Sequence, residues 1–374
     1  MIETDDYWII DEQFIFKPHF DLSIDVYKNI ISQYNKLVFS NYTDVHICIK
    51  TNNNFDSKYF DDYVRSIFNQ PVDLPQNLVY INFGEKFNTS VKLPPNLIQL
   101  SFGTRFNQPI DLPQNLTHIT FGSRFNQPVD LPQNLTHITF GSRFNQPIDL
   151  PQNLTHITFG QFFNQPIDLP ANLIYLTFGY SFNQPIDLPQ NITHITFGQF
   201  FNKPINLPAN LIYLTFGTNF NQPVNLPHKL THLSFGVYFN HPINLVPNLQ
   251  YLKLGYLFKQ TLILPSNLTK LDIDCNNTNI IDYLPDSIEE LELNCNFILE
   301  VNNLPQSIKK ISFNSFNYNK ELNCLPSNIE YIELPTKYCK KIINFPNKLK
   351  TIKCSNDYIY KNLLIEKGYE VLIY

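Results

Sequence analysis

Histidine recurs at one position of a repeated segment and is the residue type in this chain that is best suited to chemistry. His118, His137 and His156 stand nineteen residues apart, each in the segment LTHITFG. Imidazole is a common metal ligand, so three such side chains on adjacent strands are candidates for a metal site. No carboxylate or cysteine joins them in this segment. We therefore favour a polar and aromatic ladder on a sheet surface over a metal site.

Aspartate forms a second column with the same period. Calcium takes six to eight oxygen ligands, and carboxylates from one column alone make a poor cage for it. Like charges on neighbouring coils repel unless they pair with Arg124 or Arg143 or fan into solvent. We expect a solvated edge. The members of this column are Asp111, Asp130, Asp149, Asp168 and Asp187.

The six cysteines contain no CxxC pair, which argues against a zinc site of the usual spacing. Cys275 and Cys295 occupy the same place in successive repeats and could be bridged, although buried thiols are expected in a reducing compartment. The repeats also contain no nucleophile–base pair, glycine-rich phosphate loop or paired acid site. The sequence therefore predicts a protein without enzyme activity, and without a cofactor or bound metal.

A nineteen-residue period must position all of these side chains. Ten of the eleven glycines follow it, from Gly84 to Gly255, and a typical unit reads FNQPVDLPQNLTHITFGSR from Phe125. A repeat of roughly 20 residues is typical of solenoids, in which each unit packs only on its neighbours.

Composition narrows the classes of partner. The net charge is −5 and 16% of the residues are charged, so no basic field for nucleic acid exists. No window approaches the roughly 18 apolar residues that would suggest a membrane span. The first residues, MIETDDYW, are acidic where a secretory signal would be basic and then apolar. We expect an intracellular protein.

Each unit contains one short strand. In LTHITFG the later apolar residues alternate with polar ones, as a half-buried strand requires. Glycine then ends the strand. This position requires either a positive φ or room for close backbone contact, and glycine allows both. Because every connection is alike, neighbouring strands are predicted to run parallel. The predicted fold is a β-rich, right-handed solenoid with one parallel strand per repeat of 19–20 residues and a small α/β cap at the N-terminus.

Phenylalanine and asparagine follow the same period. One phenylalanine column lies at the strand (Phe83 to Phe235) and another at the turn (Phe68 to Phe258). Stacked aromatic rings on successive coils are predicted to fill the interior. Asparagine follows the turn phenylalanine in almost every unit, and its amide can satisfy backbone groups along the stack.

The motif FNQPxDLPxNLTHITFG resembles the FNIP repeat, which is known chiefly from social amoebae and from giant viruses of amoebae. The match is strong over residues 68–258 and degenerate to about residue 354. The LPxNLxxLxF portion is also similar to short leucine-rich repeats. This resemblance implies an interaction solenoid that binds a protein partner in the host cytoplasm, and it carries no catalytic residues.

We predict four regions along the chain. Residues 1–67 form an N-terminal cap or degenerate F-box-like region, 68–276 the regular repeats, 277–354 degenerate repeats of 20–21 residues, and 355–374 a C-terminal cap with a short helix and strand. Within the first region the pattern predicts a helix over 21–34 with Asp21 as N-cap, a strand over 45–50 and a helix over 55–67.

An F-box docks an adaptor of ubiquitin ligases, and some FNIP proteins carry one before the repeats. The segment Leu22–Tyr27, LSIDVY, is similar to its opening, although Ser23 stands in place of the usual proline. A plain cap is the favoured interpretation. The alternative is a substrate-recognition subunit of a ubiquitin ligase, which would bind the adaptor through residues 21–50.

The outward residues of the strands are the predicted partner-binding face. They alternate with buried residues and form two columns, one of histidine and tyrosine and one of threonine. The residues of this predicted face are Tyr80, His118, Thr120, His137, Thr139, His156, Thr158, Tyr175, Thr177, His194, Thr196, Tyr213, Thr215, His232 and Tyr251.

Overall fold

The computed structural model describes residues 1–43, 64–275, 277–294, 301, 303–314 and 318–374. They form two compact units, Met1–Ile192 (unit 1) and Thr193–Tyr374 (unit 2). The strand predicted over 45–50 and most of the helix predicted over 55–67 lie outside the described residues. Cys48 and Cys295 lie outside them too.

Unit 1 consists of short strands joined by loops with little helix. The first three strands form antiparallel pairs, and each later strand runs parallel to the one before it. The strands are β1 (Ile2–Glu3), β2 (Tyr7–Ile10), β3 (Gln13–Phe16), β4 (Lys36–Phe39), β5 (Tyr80–Asn82), β6 (Gln99–Ser101), β7 (His118–Thr120), β8 (His137–Thr139), β9 (His156–Thr158) and β10 (Tyr175–Thr177).

The repeat period sets the register of the parallel strands. Ile138 in β8 lies opposite Ile119 in β7 and Ile157 in β9, which are each nineteen residues away. The middle residue of each of these strands is buried, and its two neighbours are at least partly exposed. The prediction of a β-rich solenoid with one short parallel strand per repeat is therefore confirmed.

Close backbone contact explains the glycine that ends each strand. A Cβ atom added to Gly141 would overlap the carbonyl group of Gly122, and the same overlap recurs along the column. Among the glycines that the structure describes, only Gly368 has a positive φ, of 85°. Of the two reasons for glycine, the contact between successive coils is thus the one that applies in the repeats.

The two phenylalanine columns form the core, as predicted. Phe140 and Phe144 of one coil stack at 3.9 Å between ring centroids, with an interplanar angle of 13°. Between coils, Phe144 lies 6.1 Å from both Phe125 and Phe163. The rings of both columns are almost completely buried. Because these rings stack from coil to coil, the solenoid has a continuous apolar interior although it has no single central core.

The asparagine column is a hydrogen-bonded ladder. The backbone N–H of Asn145 donates to Oδ1 of Asn126 at 2.9 Å, and that of Asn164 donates to Oδ1 of Asn145 at 2.9 Å. Each amide oxygen thus satisfies a backbone donor of the next coil. The predicted structural role of these asparagines is confirmed.

The helix predicted over residues 21–34 is shorter than expected and begins later. A 3-10 turn covers Ile24–Tyr27, and α1 covers Lys28–Ile31. The N-cap is Ser23, whose Oγ accepts from the N–H of Asp25, so the assignment to Asp21 was wrong. Oδ1 of Asp21 instead accepts from the N–H of Asn69 at 2.9 Å and starts the asparagine ladder.

The aromatic core extends into the first forty residues. Phe16 and Phe20 stack at 3.9 Å, which matches the distance between the two phenylalanines of a regular coil. Phe39 at the end of β4 stacks on Phe68 at 4.1 Å and lies 5.8 Å from Phe83. The strands β3 and β4 therefore form coils of the same kind as the repeats.

Unit 2 repeats the same parallel pattern with in-register neighbours. The predicted C-terminal helix and strand are confirmed as α3 (Lys361–Glu366) and β20 (Glu370–Ile373), and β20 pairs with β19 (Thr351–Cys354). Cys275 is buried, and burial raises the pKa of its thiol. The elements are β11 (His194–Thr196), β12 (Tyr213–Thr215), β13 (His232–Ser234), β14 (Tyr251–Leu254), β15 (Lys270–Ile273), α2 (Thr278–Ile281), β16 (Glu290–Leu293), β17 (Lys310–Phe313), β18 (Tyr331–Glu333), β19 (Thr351–Cys354), α3 (Lys361–Glu366) and β20 (Glu370–Ile373).

Candidate functional site

The parallel strands of unit 1 bring the predicted residues together in two columns. The first residue of each strand forms the His/Tyr column, and the third residue forms the Thr column. Register pairing places each member beside the equivalent residue of the next strand. The His/Tyr column contains Tyr80, Gln99, His118, His137, His156 and Tyr175. The Thr column contains Asn82, Ser101, Thr120, Thr139, Thr158 and Thr177.

The rings of the His/Tyr column stack on one another. His118 and His137 lie 4.2 Å apart, His137 and His156 lie 4.1 Å apart, and the angles between their planes are 11° and 13°. Tyr175 continues the stack 4.4 Å beyond His156. The coil period therefore produces a flat series of rings rather than isolated side chains.

Hydrogen bonds to threonine fix the histidine tautomer. Nδ1 of His137 lies 2.8 Å from Oγ1 of Thr136, and that hydroxyl donates its one proton to the carbonyl of Thr117 at 3.0 Å. The hydroxyl oxygen must then accept from Nδ1–H, so Nε2 carries the lone pair. His156 makes the same arrangement with Thr155. Each ring thus presents a hydrogen-bond acceptor at its distal end.

This stacking does not suit a metal centre. Lone pairs lie in the ring planes, so nearly parallel rings about 4 Å apart direct their nitrogens along parallel lines rather than at one ion. Within the part of the chain that the structure describes, no three His, Cys, Asp or Glu residues are grouped to hold a metal.

The stack also lowers the histidine pKa values. For His137 the pKa falls from 6.5 to about 4, mainly because of burial and also because His118 and His156 would carry like charges. Burial lowers the pKa of His118 and of His156 in the same direction. The rings are therefore neutral at pH 7, and the column carries no charge.

Acidification should consequently destabilise unit 1. A histidine whose folded pKa is depressed lets the unfolded chain bind more protons, so stability falls as pH drops from about 6.5 towards 4. Urea unfolding at pH 7 and pH 5 should show this fall. The combined variant His118→Gln, His137→Gln and His156→Gln should show a smaller fall, and an equal fall in both proteins would contradict the prediction.

A groove follows the two columns. It has a volume of about 410 Å³ and is lined by Tyr80, Gln99, Leu100, Ser101, His118, Ile119, Thr120, His137, Ile138, Thr139, His156 and Thr158. None of these side chains is charged at pH 7. Unit 1 thus offers a shallow, neutral surface with aromatic rings, hydroxyl groups and imidazole acceptors.

Unit 2 begins with the same columns and then changes character. His194 stacks on Tyr213 at 4.3 Å and Tyr213 on His232 at 4.1 Å, but the last pair, with Tyr251, is tilted by 40° at 6.0 Å.

The later strands of unit 2 carry charged side chains that neutralise one another. Lys253 pairs with Asp272 at 2.8 Å, and Lys270 pairs with Glu290 at 3.2 Å and with Glu292 at 2.9 Å. Sequence reasoning missed this charged continuation. The available signal in the sequence was Lys270, which stands nineteen residues after Tyr251 where the column would otherwise continue with histidine or tyrosine.

The aspartate column is exposed to solvent. All five members lie on the surface of unit 1, as expected for a solvated edge. Among the described residues, neither Arg124 nor Arg143 forms an ion pair with them. The alternative in which these arginines neutralise the column within the same chain is therefore not supported.

The repeats match a known family model. The model described as FNIP Repeat matches more than half of the chain, at residues 87–124, 106–130, 125–162, 163–200, 201–238, 276–316 and 296–337. No protein with a curated description matches the chain. None of the helices in the described residues has the length and hydrophobicity that a membrane span requires.

Two solved structures are similar to this chain. One is the crystal structure of CroV588, described as a novel circular LRR protein structure, with 28% identity over 95% of this chain and 77% of that chain and a TM-score of 0.46. The other is YopM from Yersinia enterocolitica WA-314, with 20% identity over 78% of this chain and 68% of that chain and a TM-score of 0.56. The similarity to YopM shows a leucine-rich-repeat-like fold alone.

Proposed function

The chain belongs to the FNIP repeat family, and on that premise we propose that it is a non-catalytic solenoid whose strand face in unit 1 binds another protein. Solenoids present extended surfaces that typically serve as interaction modules. The observation that carries the proposal is the stacked, uncharged His/Tyr column beside a groove of about 410 Å³.

Three properties of this face fit a protein partner. Aromatic side chains are enriched in the centres of protein interfaces, whereas charged ones are depleted. The rings are already ordered by stacking and by their threonine hydrogen bonds, so binding costs little side-chain entropy. The row of Nε2 atoms accepts hydrogen bonds, so the partner supplies donors as well as apolar contacts. The intracellular, host-cytoplasmic location stays part of this proposal.

Site-specific crosslinking tests the face. A photoreactive amino acid in place of Thr139, which is exposed on β8, should give a defined crosslinked product in cells that express the protein. The same photoreactive amino acid in place of Asp168, which is also exposed, should give no such product. The combined variant His118→Ser, His137→Ser and His156→Ser should lose at least about nine-tenths of that product, because it removes the rings and their acceptors.

A matched control uses three histidines outside the column. The combined variant His19→Ser, His228→Ser and His241→Ser changes the same number of imidazoles and should retain the crosslink at Thr139. Retention of the crosslink in the column variant would place the partner elsewhere. Circular dichroism of both variants shows whether folding is preserved.

A second candidate function rests on two exposed apolar side chains in the F-box-like segment. Leu22 is 60% exposed and Val26 is 74% exposed. Both side chains are apolar, yet they face solvent instead of packing against the coils that follow. Such side chains are what a ubiquitin-ligase adaptor would contact. In the same experiment, a photoreactive group at Val26 that captures the adaptor would favour this function, and its failure to do so would favour a plain cap.

A further inference from the structure

Unit 1 carries a second charged column that the proposed function does not use. It lies two residues after each strand-ending glycine and repeats at nineteen residues over four consecutive coils. Its members are Lys86, Arg105, Arg124 and Arg143, and the next coil carries Phe162, which is 48% exposed. We call this set the basic column.

Backbone hydrogen bonds hold the basic column in register. The N–H of Arg105 donates to the carbonyl of Glu85 at 3.1 Å, that of Arg124 to Thr104 at 3.0 Å and that of Arg143 to Ser123 at 2.9 Å. The backbone positions that carry successive cations are therefore held at the coil spacing of about 4.8 Å. The three arginine side chains are exposed.

No intramolecular partner neutralises these cations in the described part of the chain. The ion pairs there involve other lysines and His19, and none joins a carboxylate to Lys86, Arg105, Arg124 or Arg143. Like charges at this spacing repel. The column faces solvent and is therefore available to an anion from outside the chain.

The exposed aspartate column of unit 1 has the opposite charge and the same period. Asp111, Asp130, Asp149, Asp168 and Asp187 follow one another at nineteen residues, on coils that overlap those of the basic column. They too form no ion pair among the described residues. One unit therefore presents two complementary charged ladders that do not meet each other within the chain.

We infer that unit 1 self-associates with a second copy of this chain, whose aspartate column lies against the basic column. The shared nineteen-residue period supports this pairing. A second copy repeats its carboxylates at the same coil spacing as the cations, so every coil forms a pair in register. An extended acidic peptide rises about 3.3 Å per residue and presents alternate side chains about 6.6 Å apart, which falls out of register with coils about 4.8 Å apart.

The association should be weak and dependent on salt. Exposed ion pairs each contribute little, and salt screens charges beyond a Debye length of about 10 Å at 0.1 M. The net charge of −5 also opposes the approach of two copies. Self-association is therefore expected at high protein concentration and low ionic strength, and it does not depend on the proposed strand-face partner.

Complementary charge reversal tests the pairing with the full chain. The acidic variant combines Arg105→Asp, Arg124→Asp and Arg143→Asp, and the basic variant combines Asp130→Arg, Asp149→Arg and Asp168→Arg. All six positions are exposed, so both variants should fold. Sedimentation velocity at low salt should show association of the native chain that is lost at high salt. Each variant alone should associate at least about tenfold more weakly, and an equimolar mixture should associate again.

Two results would overturn the inference. The first is a native chain that stays monomeric at low salt and the highest accessible concentration. The second is self-association that neither variant weakens, or that their mixture does not restore. If the native chain stays monomeric but binds a polyglutamate peptide that the acidic variant does not bind, the basic column serves an acidic partner instead. The crosslink at Thr139 separates either outcome from failure of the strand-face proposal.

Discussion

Replacing Phe144 with alanine should lower the free energy of unfolding by about 3–5 kcal/mol. Its ring is fully buried, stacks on Phe140 at 3.9 Å and lies between Phe125 and Phe163 at 6.1 Å on either side. Truncation removes the apolar contact and leaves a cavity within the column. Urea denaturation measures the loss, and hydrogen exchange locates it.

The loss should be local because each coil packs only on its neighbours. Amide exchange should accelerate most in the coils that contain Phe125, Phe144 and Phe163, and less in coils further away. Phe162→Ala is the matched control because it truncates the same type of side chain one coil later. Phe162 is 48% exposed, so its replacement should change the free energy of unfolding by no more than about 0.5 kcal/mol. Equal losses in the two variants would mean that the stacked columns are not the source of stability.

The repeats were predictable because the residues that end their strands and form their loops recur at fixed positions. Glycine ends each strand, proline is confined to the loops, and the nineteen-residue period fixes which residues are neighbours. The strand HIT at 137–139 and its register with 118–120 and 156–158 follow directly from that period. The predicted division of the chain into four regions stays a prediction.

The first coils could not be recognised in the same way. Phe16, Phe20 and Phe39 occupy core positions, but no glycine follows Phe16 or Phe39, and the segment between Phe39 and Phe68 breaks the period. Asp21 was predicted to cap a helix because aspartate is a good N-cap. Its carboxylate instead accepts the ladder hydrogen bond that an asparagine accepts elsewhere. The structure shows that Asp21 is equivalent to the ladder asparagines as an acceptor, whereas the sequence shows only a different residue type.

The candidate face was predictable as a set of positions but not as a chemical surface. Alternation places His137 and Thr139 outside the sheet, yet it does not say that the imidazoles stack at 4.1–4.2 Å. The tautomer depends on Thr136, which lies just before the strand and donates to the carbonyl of Thr117. Both features arise from contacts between coils, which a pattern within one repeat does not contain.

Replacing Gly141 with alanine should lower the free energy of unfolding by about 3 kcal/mol. The added Cβ would overlap the carbonyl group of Gly122, which is backbone and cannot rotate away. The two coils would have to separate, which lengthens the hydrogen bond from the N–H of Phe121 to the carbonyl of Thr139, now 2.8 Å. The same separation would loosen the stacked rings on both sides.

Gly368→Ala is the control that distinguishes the two uses of glycine. Gly368 has a φ of 85°, but nothing lies within 4 Å of an added Cβ, so alanine there incurs only the cost of a left-handed conformation, about 1–2 kcal/mol. Urea denaturation of the two variants should therefore rank Gly141→Ala as the more destabilising. The opposite order would mean that the coils can move apart cheaply, and close backbone contact would no longer explain why glycine follows each strand at nineteen-residue intervals.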